Sequence, residues 1–211
     1  MISDVMIRRM DRSAFATMFI FAAATNVLPI CLVKISEELN INLTQAGLLG
    51  FLTSMEQFFV LILSIFAAAR YGKIRIIRFA MLVLTAGLIA FSFSRSYAMA
   101  VGLIMVVGFG NAVLEALMTP LVADLHPNDS GSKMNLLHAF WPIGVCAGVL
   151  VIGEMLSRGL SWRVAFAGLA VFVLIISLSY PRASLVPLPP SRAGVSHIGE
   201  ILRIPRFWLL G

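Results

Sequence analysis

Charge is what this sequence has least of. Asp, Glu, Lys and Arg make up 12% of its 211 residues, apolar residues 60%, and the mean hydropathy is +0.96. No soluble domain of this length has enough interior to hide so much hydrocarbon, so soluble globular and disordered classes are excluded. Acidic residues are scarcer than basic ones, 10 against 16. The basic excess lies between apolar runs rather than on one polar surface, which excludes nucleic acid as a partner. Cysteine is reduced to Cys31 and Cys146, each inside a separate apolar run. Two such residues make neither a disulfide framework nor a metal site and are expected to fill packing space. The three histidines, His126, His138 and His197, show no ligand spacing, so no metal and no cofactor are expected. No nucleophile cluster accompanies them, which leaves a membrane-embedded enzyme without its catalytic set. The basic start MISDVMIRRMDRSAF leads into an apolar run with no small-residue cleavage site, so it opens a first helix and is not a signal peptide.

What is present is a series of apolar runs, each near the ~20 residues needed to cross a bilayer. They fall at 14–33, 46–69, 76–93, 97–122, 136–156 and 164–180. The breaks carry Lys34, Glu37 and Glu38 with a turn at 40–44, a basic loop with Arg70, Lys73, Arg75 and Arg78, a Ser94-Arg95-Ser96 turn, and a polar turn from His126 to Gly131. The expected fold is all-α: a cytoplasmic N-terminus over 1–12 and a six-transmembrane-helix bundle over 13–181. The Pro-, Ser- and Arg-rich stretch 182–198 follows as a cytoplasmic linker. Residues 199–211 turn apolar but are too short to span, and are expected to be the start of a seventh helix of a missing second bundle. With the N-terminus inside, twelve Lys and Arg fall in cytoplasmic segments and four (Lys34, Arg95, Arg158, Arg163) in outer ones. This positive-inside bias puts both ends in the cytoplasm and the protein in the plasma (inner) membrane.

Polarity inside the spans is uneven. Asn26 lies in span one, Glu56 and Gln57 in span two, Glu115 in span four and His138 in span five, while spans three and six carry essentially none and are expected to face lipid. An ionisable group in a span costs about 2.5–3.5 kcal/mol on insertion scales, so Glu115 reads as functional, against the alternative of one packing hydrogen bond. Asn111, Glu115 and Thr119 recur every four residues and share a helix face, with Gly108 just before them. His138, about one turn into its span, suits a capping or a ligand role. Glu56 suits a second cavity carboxylate or a packing contact. Glu154, near the end of span five, should reach interfacial water. Gly144-x-x-x-Gly148 would let two helices approach closely.

Six helices followed by this linker and ILRIPRFWLLG resemble the N-terminal half of a major facilitator superfamily transporter. In that superfamily two six-helix bundles face each other; helices one and four line the cavity, two and five flank it, and three and six lie outside. Leu114-Glu115-Ala116, Pro120, Pro127, Ser130-Gly131, Met134-Asn135-Leu136 and Gln45-Ala46-Gly47 are similar to the fucose/glucose–proton symporter branch. There a helix-four glutamate takes part in proton coupling and sugar binding, and Glu115 matches its position. Asn26 falls where that branch has an Asn-Asp pair. Arg70, Gly72 and Lys73 match the superfamily's gating loop, but Ile65 and Ala69 replace its glycine and aspartate. Val149 after Gly148 departs from the Gly-Pro step of the drug–proton antiporters. The resemblance implies half of a secondary transporter working by alternating access, with symport of protons and a small polar solute such as a sugar. Its binding candidates are Glu115, Asn111, Asn26, Glu56 and His138, and its other partners the lipid bilayer and the missing C-terminal half. The alternatives are a proton-coupled exporter of amphipathic compounds and a non-transporting structural membrane subunit.

Overall fold

The computed structural model describes residues 4–181. The linker and seventh-helix expectations, at 182–198 and 199–211, and His197 lie outside the described residues. Six helices cross in alternating directions: α1 (Asp4–Leu39), α2 (Leu43–Tyr71), α3 (Lys73–Ser92), α4 (Tyr97–Leu125), α5 (Ser130–Ser157) and α6 (Trp162–Ser179). Among the described residues, all six are long and apolar enough to cross a membrane. Every expected run is present, lengthened by polar turns that helix ends can keep in water. Residues 4–12 are the first turns of α1 rather than a separate tail.

The connections are short because each helix end satisfies its own backbone. α1 ends on Asn40 at φ 53, with Ile41 N–H donating to Ser36 O at 3.0 Å, the αL closure that Asn tolerates better than other side-chain-bearing residues. Asn42 caps α2, its Oδ1 accepting from Gln45 N at 2.9 Å while Gln45 Oε1 accepts from Asn42 N at 3.0 Å, a reciprocal capping box. Gly72, at φ 89, is the whole connection between α2 and α3. The expected basic loop is therefore corrected: Arg70 ends α2, and Lys73, Arg75 and Arg78 belong to α3. The turn after α4 is likewise only His126–Asp129, since Ser130 and Gly131 open α5.

Packing sorts the helices into a flank and an open face. α3 sits between α4 and α6, joined to α4 where a Cβ on Gly110 would come within 2.7 Å of Leu84 Cβ and one on Gly87 within 3.1 Å of Val107. Phe91, Trp162 and Phe166 interlock α3 with α6. Span three is thus half buried and not simply lipid-facing; only one side of it, with Phe79, Leu82 and Ile89, is exposed. α5 lies along α1 through Gly144 and Gly148, which pack on Phe19, Ala22 and Ala23, and through the Phe15–Phe140 and Phe21–Trp141 ring pairs. α2 and α5 leave most of their surfaces open. Of the two cysteines, Cys31 fills packing space, but Cys146 is exposed, because α5 buries only its glycine stripe.

Polar clamps close both ends. At the end holding Gly72 and the His126–Asp129 turn, here called the basic end, Lys73 Nζ pairs with Asp124 at 2.5 Å and His126 Nε2 meets Asp11 Oδ1 at 2.8 Å. At the far end Arg163 donates to Ser92 O and Ser94 O, both at 2.7 Å, and to Glu38, which also accepts from Trp162 Nε1 at 2.6 Å. Glu154 pairs with Arg158 at the surface.

Candidate functional site

The three polar residues of α4 stand about 6 Å apart along the helix, one turn each, and each meets a different neighbour. Glu115 Oε2 accepts a hydrogen bond from Gln57 Nε2 of α2. One turn toward the basic end, Thr119 Oγ1 shares a hydrogen bond with His138 Nε2 of α5 at 3.1 Å. One turn toward the far end, Asn111 is 8% exposed and its Oδ1 is buried without a hydrogen-bond partner. A buried acceptor left unpaired costs its desolvation, about 1–3 kcal/mol.

Two cavities lie along this stripe. The far cavity, about 290 Å³, is bounded by α1, α2 and α4, and its polar lining is Thr25, Thr53, Ser54, Gln57 and Asn111. Thr25 Oγ1, like Asn111 Oδ1, is buried and unpartnered. Among the described residues no charged side chain lines this space, and the carboxyl of Glu56 lies behind Gly108. The near cavity, about 240 Å³, is bounded by α1, α4 and α5 and lined by Met18, Phe21, Glu115, Met118, Thr119, His138 and Trp141. Along α2, Gln57 is the far cavity's lining residue closest to the basic end; along α4, Glu115 is the near cavity's lining residue closest to the far end. Their hydrogen bond runs between the two.

The other expected site residues separate. Asn26 lines neither cavity: its Nδ2 donates to Ala22 O at 2.8 Å, one turn back on its own helix. Glu56 lines neither cavity, but its carboxyl packs on Gly108 in the wall of the far one. Its Oε2 is buried unpartnered against Gly108, where an added Cβ would come within 2.6 Å of it. Because α5 begins at Ser130, His138 stands more than two turns in, about 12 Å from the helix start, too deep to cap it. Arg70, Gly72 and Lys73 lie at the basic end, and there Lys73 reaches Asp124. Gln57 and Thr25 were not among the expected site residues. Gln57 could have been found from Gly50, Thr53, Ser54 and Gln57, a small and polar stripe at i, i+3, i+4 and i+7. Glu56 instead falls in register with Leu49 and Val60, both buried. Among the described residues no group of His, Cys, Asp and Glu could hold a metal ion.

Six spans with a polar stripe and two cavities along it define a polytopic helical membrane protein. The Major Facilitator Superfamily profile matches residues 13–211, and the chain belongs to that family, whose members are transporters and not enzymes. Among solved structures it is similar to the human organic anion transporter MFSD10 (TETRAN), with a TM-score of 0.66 and 16% identity over 85% of this chain. The match spans 42% of that longer chain. No curated protein matches.

Proposed function

We propose that this chain is the N-terminal half of a secondary transporter that works by alternating access and moves a small, neutral, polar solute such as a sugar together with protons. Glu115 is the coupling group, with both chain ends cytoplasmic in the plasma (inner) membrane. The observation that carries this reading is Glu115 itself: a carboxyl at mid-span on the rim of one cavity, tied by Gln57 to a second, with Thr119 and His138 one turn away. A carboxyl can take a proton from water and return it, and alternating access supplies that water from one side at a time. The far cavity supports a neutral polar solute, because its polar lining is the hydroxyls and amides of Thr25, Thr53, Ser54, Gln57 and Asn111, with no charged side chain among the lining residues. An organic anion would meet Glu115 and neither Lys nor Arg in these cavities. The Leu114-Glu115-Ala116 to Met134-Asn135-Leu136 pattern supports the fucose/glucose–proton symporter branch.

The test is made in proteoliposomes holding the full-length transporter, screened with a panel of neutral sugars, with and without an inward proton gradient. Glu115→Gln keeps size and hydrogen bonding but cannot cycle a proton. It is expected to abolish proton-driven accumulation of the transported sugar while counterflow exchange survives. Accumulation equal to the parent's, normalised to folded protein, removes Glu115 as the coupling residue and makes Glu56 the next candidate. Lower yield with coupling intact per folded molecule would assign Glu115 to packing. A second reading, proton-coupled export of an amphipathic compound, draws on the apolar wall that Met18, Phe21, Met118 and Trp141 give the near cavity; solute-driven proton entry during efflux would select it.

A further inference from the structure

We infer that the outer face of α3 at the basic end is a binding site for an anionic phospholipid, its phosphate on Arg75 and Arg78 and an acyl chain along Phe79, Leu82 and Ile89. The inference depends neither on Glu115 nor on the two cavities. The 20 residues of α3 measure about 30 Å at the α-helical rise, the thickness of the hydrocarbon layer. No loop lifts its start clear of the bilayer, since Gly72 alone connects it to α2. Arg75 and Arg78, in its first two turns, therefore stand at the hydrocarbon edge. Arg8, Arg9 and Arg12 differ, because they precede the apolar run of α1 and extend into water. Arginine cannot shed its charge, and at the edge the nearest acceptors are headgroup phosphates. Lys73 already has an anion in Asp124, but among the described residues no carboxylate pairs with Arg70, Arg75 or Arg78. A phosphate matches the guanidinium fork with two parallel hydrogen bonds. Arg70, exposed at the end of α2, brings a third uncompensated charge to the same corner, its guanidinium 5.5 Å from the Tyr71 ring centre. Three cations without a counter-charge favour a net-negative headgroup over a zwitterionic one. Below them, Arg75, Phe79, Leu82, Ala86 and Ile89 form one exposed stripe of α3. From Phe79 to Ile89 it runs ~15 Å, half of the hydrocarbon layer and so the depth of one leaflet.

The test needs no knowledge of the transported solute. The full-length transporter in neutral detergent is titrated with phosphatidylglycerol and, separately, with phosphatidylcholine of the same chains, and bound lipid is counted by native mass spectrometry. The parent is expected to retain phosphatidylglycerol in preference. Arg75→Gln with Arg78→Gln should weaken that binding roughly fivefold for each arginine removed. If the double variant is not monodisperse, Arg75→Gln alone carries the test. Arg95→Gln takes the same charge from an exposed position at the far end and should leave binding unchanged. Inorganic phosphate should not displace the lipid, because it has no chain to lay on Phe79, Leu82 and Ile89. Parent-like binding in the glutamine variants overturns the site. An equal loss in Arg95→Gln also overturns it, since the preference would then follow net charge alone. Displacement by inorganic phosphate would make the corner a free-anion site and overturn the lipid assignment.

Discussion

At the residue scale, identical letters do unequal jobs, and their surroundings decide which. Gly144 and Gly148 both face α1 from the same stripe. A Cβ at Gly144 would press on the Phe19 backbone carbonyl, which cannot swing aside. One at Gly148 would meet Ala23 Cβ at 3.2 Å, a contact that a shift of a few tenths of an ångström relieves. Gly144→Ala is therefore expected to destabilise by about 1–3 kcal/mol and Gly148→Ala by less than about 1 kcal/mol, read as thermal unfolding of purified protein in detergent. Equal losses would mean that α1 and α5 slide freely. The spacing of these glycines was legible in the sequence, but the difference between them was not, since it depends on where α1 puts a carbonyl. The same holds for Glu56 and Gln57. They occupy one depth, and only the 100° between neighbours on a helix separates the residue that reaches Glu115 from the one packed on Gly108. Gln45, quoted as part of a sugar-symporter pattern, also serves the capping box at the head of α2, a local task that any helix could require.

Among the elements, the basic end shows how two helices become one lever. Gly72 joins α2 to α3 in a single residue because its φ of 89° is open to glycine and strained for others. Lys73 is thereby fixed at the start of α3 and reaches across to Asp124 in the last turn of α4, with the Pro120 carbonyl 3.5 Å from its ammonium. Both side chains are largely buried, 10% and 22% exposed, so losing either leaves the other's charge poorly solvated. Lys73→Ala and Asp124→Ala are each expected to cost about 3 kcal/mol or more. The double variant should cost clearly less than their sum, the coupling reaching as much as about 3 kcal/mol. Additive losses would show that the two do not act as a pair. The charged signature around Gly72 was visible in the sequence, whereas its partner was not. Asp124 sits 51 residues away at the end of an apolar run and carries no motif of its own.

For the molecule as a whole, alternation of six helices is the strongest constraint. It places the Asn40–Asn42, Phe93–Ser96 and Arg158–Ser161 turns at one end, and Gly72 with the His126–Asp129 turn at the other. Apolar run length made this order legible from the sequence, because the bilayer imposes it on any chain of such composition. Which end faces the cytoplasm is a matter of charge. Arg8, Arg9, Arg12, Arg70, Lys73, Arg75, Arg78 and Lys133 gather at the basic end, against Lys34, Arg95, Arg158 and Arg163 at the other. The bias favours the basic end inside. Single cysteines test it in a background without Cys31 and Cys146, the second of which is exposed and would react by itself. From the sequence Ser94 is the natural probe position, but it is 0% exposed beside the carbonyl that receives Arg163, and a cysteine there would be silent on either side. Its neighbour Arg95 is exposed, as is Asn128 in the opposite turn. Arg95→Cys is expected to react with an impermeant thiol reagent in intact cells, and Asn128→Cys only after permeabilisation. The reverse pattern would invert the bundle and turn the far cavity, lined by Thr25, Thr53, Ser54, Gln57 and Asn111, toward the cytoplasm.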